Sequence, residues 1–388
     1  MINVIFYTFL VCLILFLIFI LCRLYIYKKG VKIDIYLNSN SQIRPIIDSM
    51  ECFDKPYHPT PWLFNCHLQT LYSMQLRNRA KFENEREDVI FPDGGVAIID
   101  WFHPTTVQAS RDENSFYDKK DDIIIIFHTL GGGSREKAIH AFGVACANQG
   151  FTAAVLNCRG CAGAKFLNER AYNAYEIDDF KFSIDNHIKK RNPRHIFICG
   201  FSMGSMHATR YAIDYPEDVT AILAVSHPMD AVKSAQQLES FPLNLLYLPK
   251  IMESHHRLYR KQPFIHNDEI ERAKNLTELD TVYTAPSLGM KSCFELWERL
   301  SIYDKIDKIK VPLIHLIAAD DPFTSRDYFP YEEVQKESNQ WMALAVTQEG
   351  GHCGFIEGWD GKHSLVEDIA FEWFEKAAQI NMNAFELI

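Results

Sequence analysis

The pentapeptide Gly200-Phe201-Ser202-Met203-Gly204 constrains this chain more than any other stretch. A short apolar run, Ile196-Phe197-Ile198-Cys199, leads into it and a helix-compatible sequence follows, so the chain is expected to turn sharply from strand to helix at Ser202. Such a turn strains the serine backbone and leaves no room for a Cβ on either side, which is why glycine flanks it at both ends. A serine held this way presents its hydroxyl at the top of a sheet, where it can act as a nucleophile. The pentapeptide also arises by chance in chains of this length, so its surroundings decide its meaning.

Those surroundings alternate between strand and helix. Apolar runs at 123–127, 151–156, 219–225, 311–317 and 342–347 read as buried strands, and 136–148, 172–189 and 363–379 read as helices. A hairpin is expected over 86–102, turning at Pro92-Asp93-Gly94-Gly95. This rhythm predicts an α/β fold with a mostly parallel sheet and helices on both faces. With 388 residues, 47% of them hydrophobic and 23% charged, the chain can fill one large α/β domain or two smaller ones. The rhythm stops between 231 and 300, an aromatic and charged stretch with helical patches, which reads as a lid inserted between strands. Residues 105–120 are polar and read as a loop. The proline-punctuated YHPTPWLFNCHLQTLY at 57–72 reads as extended chain rather than regular helix. The expected organisation is an anchor at 1–29, a wrapping segment at 30–85, core at 86–230, lid at 231–300 and core again at 301–388.

Residues 4–22 contain no charge and are almost entirely Leu, Ile, Phe and Val, enough for a membrane-spanning helix. A cleaved signal peptide is the rival reading. Against it, no basic residue precedes the run, the run is too long, and no small-x-small cleavage site follows. Tyr25, Tyr27, Lys28 and Lys29 then supply the aromatic and basic residues of a membrane interface. With Arg23, Lys28, Lys29 and Lys32 all on the C-terminal side, positive-inside counting places the remainder in the cytosol.

The net charge of −10 argues against nucleic acid as a partner, because phosphate binding needs a clustered basic excess. The ten cysteines are scattered, with Cys158 and Cys161 the only close pair, and suggest neither a disulfide scaffold nor a zinc site. No metal and no cofactor are expected.

Ser202, Asp321 and His352 fall at the ends of expected strands in the chain order of an alpha/beta-hydrolase triad. A serine hydroxyl is a poor nucleophile at neutral pH, so His352 must take its proton and a carboxylate must fix the imidazole tautomer. Asp320 and Asp321 are adjacent and should point in different directions. Asp321 is preferred for its spacing from the strand end and for Pro322, which biases it towards extended backbone. The oxyanion donors expected are the backbone N–H groups of Met203 and of Leu130, with Thr129 as neighbour, in the glycine-rich turn 128–133. Leu245 and Leu246 lie in FPLNLLYLP, too apolar for an ordinary exposed loop. They are expected to line an acyl channel or touch the bilayer, the plainer alternative being packing onto the core.

Taken together, HPTPWLFNCHLQT, PDGGVAIIDW, FHTLGGGS, NCRGCAGAKF, GFSMGS, VSHPMD, AADDPF and GGHCGF resemble the alpha/beta-hydrolase 4 family, which includes abhydrolase domain-containing proteins 1 to 3 and bacterial esterases of the YheT type. The resemblance spans about residues 55–375. It implies an esterase or lipase with Ser202, Asp321 and His352 as its triad and lipid esters as substrates. It also implies a type II orientation, opposite to the positive-inside count. The reading that results is a membrane-anchored serine hydrolase cleaving lipid esters through an acyl-serine. Its rivals are a catalytically silent lipid-binding protein and an acyltransferase using the same triad.

Overall fold

The computed structural model describes residues 2–77, 81–104, 119, 121–262, 264 and 268–384. The polar stretch expected to loop out at 105–120 lies outside the described residues, apart from Lys119. Nine strands form the main sheet: β1 Ile33–Tyr36, β2 Glu85–Ile90, β3 Val96–Phe102, β4 Asp122–Phe127, β5 Thr152–Asn157, β6 His195–Phe201, β7 Ala221–Val225, β8 Leu313–Ala318 and β9 Met342–Thr347. Their order is β1-β9-β8-β7-β6-β4-β5-β3-β2. The strands from β5 to β9 run parallel, while β1, β2 and β3 pair antiparallel at the two edges.

Strands β4 and β6 to β9 are buried along their whole length, which is why they read as continuous apolar runs rather than as alternating ones. Helix Leu365–Ala384 covers one face, with Trp373 and Phe374 fully buried; Tyr211 and Ala212 of helix Met203–Asp214 are buried in the cluster on the other. The expected hairpin is β2–β3, with Ile90 opposite Val96. The helix read over 172–189 is regular only over Asp178–Ser183, continuing as looser turns to Arg191. Before it, the Asn173 side chain accepts the backbone N–H groups of Tyr175 and Glu176, a local turn that competes with helix.

The segment before β2 departs from the extended wrapping chain expected there. Residues 33–36 extend the sheet beside β9, and Cys66–Leu71 is a helix that continues as a wider turn over Tyr72–Leu76. Asn65 caps this helix by accepting the Leu68 N–H, so a start signal was present among the prolines and aromatics.

At the N-terminus, helix Ile2–Lys29 has 28 residues, about 42 Å at 1.5 Å per residue, and its apolar part is long enough to cross a membrane by length and composition. Its last turns are fastened to the domain. Arg23 makes a two-pronged ion pair with Glu349, both bonds 2.9 Å, and the Tyr27 carbonyl lies 2.7 Å from His58 Nδ1.

Among the described glycines, the closest approach to backbone is where helix Met203–Asp214 meets β4. A Cβ on Gly204 would lie 2.2 Å from the Phe127 carbonyl oxygen, and backbone at a sheet centre cannot give way. Gly204→Ala is therefore expected to cost about 3 kcal/mol and to lower the thermal midpoint; a variant that melts with its parent would show that the helix can shift.

Candidate active site

Ser202 follows β6 with φ 53° and ψ −116°, a strained conformation for a residue with a Cβ. It is held there by two backbone hydrogen bonds, Ser202 N–H to Val225 O and Ser205 N–H to Ser202 O, both 2.9 Å. Gly200 makes the close approach possible, since a Cβ there would meet the Gly204 carbonyl oxygen at 2.4 Å.

His352 lies in the loop after β9, with Nε2 2.8 Å from Ser202 Oγ and Nδ1 2.9 Å from Asp321 Oδ2. An ionised carboxylate can only accept, so Nδ1 carries the proton and Nε2 is left to accept from the serine hydroxyl. Both His352 and Asp321 are buried. Burial by itself lowers the imidazole pKa, but the adjoining Asp321 carboxylate outweighs it, and the net direction is upward. The Phe323 N–H, 2.8 Å from Asp321 Oδ1, fixes the carboxylate. Asp320 does turn elsewhere: its Oδ1 accepts the Gly351 N–H at 2.9 Å, and burial pushes its carboxyl up to about 6.

The sequence did not single out the side chains that hold the His352 loop. Thr70 Oγ1 accepts the His352 N–H at 2.9 Å, Gln69 Oε1 accepts the Ile356 N–H at 2.9 Å, and the Ser73 hydroxyl donates to the Cys353 carbonyl at 2.7 Å. All three project from the helical turns that the sequence suggested were extended. From the opposite side, Ser226 Oγ accepts the Cys353 N–H at 2.9 Å.

Met203 is the first residue of its helix, so its N–H has no carbonyl one turn earlier to bond and is available to the site. Leu130 and Thr129 line the same cavity as Ser202 and His352. Their loop is braced by two residues that had drawn no notice. The Tyr172 hydroxyl accepts the Gly131 N–H at 2.7 Å, and Thr129 Oγ1 donates to Glu136 at 2.6 Å, where burial pushes the Glu136 carboxyl up to about 7.

The cavity above the serine measures about 1200 Å³ including its mouth. Residues between 231 and 300 supply much of its wall, among them Leu238, Ile251, Leu258, Leu279 and Leu296. Its polar wall groups are engaged with neighbours: Trp297 Nε1 donates to Asp280 at 2.8 Å, and His255 Nδ1 pairs with the Ile251 carbonyl at 2.9 Å. Burial raises the Asp280 pKa and lowers that of His255, so desolvation favours the neutral form of each. Leu245 and Leu246 do not line this cavity; both project outward and are exposed. Leu238 and Ile251 line it instead, and Leu245 and Leu246, on the outer side of the turn that buries Leu243 and Tyr247, keep only the outward position that was the other expectation for them. Among the described residues, Glu357, His363 and Asp368 bring ligand atoms within 4.8 Å of one another, but His363 is already paired with Asp368 and Glu367, each at 3.0 Å.

A parallel sheet with a serine at the β6 turn, an acid after β8 and a histidine after β9 defines an alpha/beta hydrolase. The chain belongs to the alpha/beta hydrolase fold family, which it matches over residues 122–358. It is 28% identical to an abhydrolase domain-containing protein of Dictyostelium discoideum, covering 92% of this chain and 88% of that protein. It is 27% identical to a monoacylglycerol lipase of Saccharomyces cerevisiae, over 79% and 78% of the two chains. To the human phospholipase ABHD3 it is 26% identical, over 83% and 78%.

Two outcomes follow from the hydrogen bonds around His352. Asp321→Asn should lower kcat about 10⁴-fold, far more than Asp320→Asn. Because it removes the charge that raises the imidazole pKa, it should also move the acidic limb of kcat/KM to lower pH. An unmoved limb, or the reverse ranking of the two variants, would assign the carboxylate role elsewhere. Thr70→Val leaves the His352 N–H without its acceptor and should reduce kcat about tenfold, for a lost bond of roughly 1–3 kcal/mol, with KM nearly unchanged. Steady-state kinetics that show a KM effect alone would remove Thr70 from the positioning of His352.

Proposed function

We propose that the protein is a single-pass, membrane-anchored serine esterase that cleaves carboxylic esters of lipids, acylglycerols or phospholipids, through an acyl-Ser202 intermediate. The observation that carries this reading is the unbroken hydrogen-bond relay from Ser202 through His352 to Asp321, opening on a large apolar cavity. The lipase and phospholipase names of two relatives support the choice of lipid esters.

In this mechanism His352 Nε2 takes the proton as Ser202 Oγ attacks the ester carbonyl. The oxygen that gains charge is met by the N–H groups of Met203 and Leu130, backbone donors of the kind that stabilise an oxyanion. As the tetrahedral intermediate collapses, the imidazolium returns the proton to the departing alcohol and the acyl group stays on Ser202. Water then attacks by the same route with His352 again as base, releasing the fatty acid. The cavity suits the acyl chain, since apolar side chains supply much of its wall and Trp297, Asp280 and His255 are hydrogen-bonded within the protein. Residues 231–300 act as the lid that encloses the chain, and helix Ile2–Lys29 holds the enzyme where its substrates reside.

A fluorophosphonate reacts with an activated serine and tests the proposal directly. The full-length protein should be labelled and should hydrolyse a long-chain acylglycerol, and Ser202→Ala should abolish both while leaving the thermal midpoint nearly unchanged. Equal labelling of the variant would point to a different nucleophile.

A further inference from the structure

The surface where the N-terminal helix meets the domain is unusually aromatic. Phe19 of the helix packs edge-to-face on Phe64, centroids 5.1 Å apart, and Tyr27 lies 6.3 Å from Trp359. The Trp62 indole donates to the Trp359 carbonyl at 2.9 Å, tying two distant parts of the chain into one ring-bearing rim. Trp62, Phe64 and Trp359 nevertheless remain 42%, 44% and 62% exposed. A soluble surface rarely gathers such residues without a partner.

A second exposed group is linked to the first through helix Cys66–Leu71. Phe241, Leu245 and Leu246 are 79%, 68% and 53% exposed, and Tyr247, next in sequence, is fastened to His67 at 2.9 Å. His67 belongs to helix Cys66–Leu71, which begins two residues after Phe64, so the two groups flank the same short helix. Behind Tyr247 the contacts run directly to the catalytic histidine. Its ring lies 4.9 Å from Phe323, and Phe323 lies 4.3 Å from the His352 ring.

We propose that Trp62, Phe64 and Trp359, together with Phe241, Leu245 and Leu246, form a second membrane-contacting surface, seated at the boundary between lipid headgroups and acyl chains. The occupant is the lipid bilayer because the surface is continuous with a helix long and apolar enough to cross one. Tryptophan at the end of such a helix is also the residue type that settles at the interface. The proposal rests on the membrane anchor in the proposed function and deepens it. The helix is then no loose tether: the domain lies against the membrane, and a lipid passes to Ser202 beside Tyr247 and Phe323 without crossing bulk water.

The test uses full-length protein reconstituted into phosphatidylcholine vesicles, with or without bromine on the acyl chains close to the headgroup, which quenches nearby tryptophan emission. Of the six tryptophans, Trp101, Trp297 and Trp373 are buried and Trp341 packs against the core, so Trp62 and Trp359 should carry the quenching. Replacing both, Trp62→Phe with Trp359→Phe, should abolish most of it, and adding Leu245→Trp to that variant should restore it. Quenching that survives the double replacement, or no quenching in a protein that resists an alkaline carbonate wash, would overturn the proposal. So would protection of these residues by a second copy of the chain, seen as a dimer after detergent exchange. Release by carbonate with the quenching intact beforehand would remove the anchor and keep the surface. Release with no quenching at all would remove both.

Discussion

A serine that stands at φ 53° cannot hold that conformation alone, and much of the molecule's centre is arranged around the need to hold it. The strain is sustained because β6 is paired on both sides and buried along its whole length, while the helix after the turn packs so closely on β4 that only glycine fits at Gly204. Relaxing Ser202 would mean moving a helix against the core of the sheet. The hydroxyl fixed in this way lies 2.8 Å from His352 Nε2.

The position of His352 depends on side chains. It sits in the glycine-rich loop that follows β9, where side chains must do what a ladder does elsewhere. Thr70, Gln69 and Ser73 hold the loop from one side and Ser226 from the other. The helical turns that carry the first three come from the segment between the N-terminal helix and β2. That segment therefore helps to hold the His352 loop as well as covering the domain. The ion pair between Arg23 and Glu349 extends the same logic, because Glu349 lies three residues before His352 and its partner projects from the last turns of the N-terminal helix. The N-terminal helix and the His352 loop thus share a bond that is largely removed from water.

The cavity illustrates how an apolar site tolerates polar residues. Asp280 and His255 would each be costly if charged and unpaired in such surroundings. Burial shifts both towards neutrality and each has a partner within the wall, which leaves the interior suited to hydrocarbon.

The sequence alone determined the fold class and, apart from β1, the succession of strands in the main sheet, because buried parallel strands must be apolar throughout and the serine turn tolerates only glycine on its flanks. It also placed Ser202, Asp321 and His352 at strand ends, since those residue types occur there in a fixed order along the chain. It did not determine Leu245 and Leu246: composition reports that a stretch is apolar, whereas which way each side chain faces depends on what packs behind Tyr247. Nor did it single out Thr70, Gln69, Ser73, Tyr172 or Glu136, whose partners lie far away along the chain or in loops without a motif of their own. A hydrogen bond between Thr70 and His352 spans 282 positions. No local pattern encodes such a contact, and only the closing of the tertiary structure brings its two ends within 3 Å.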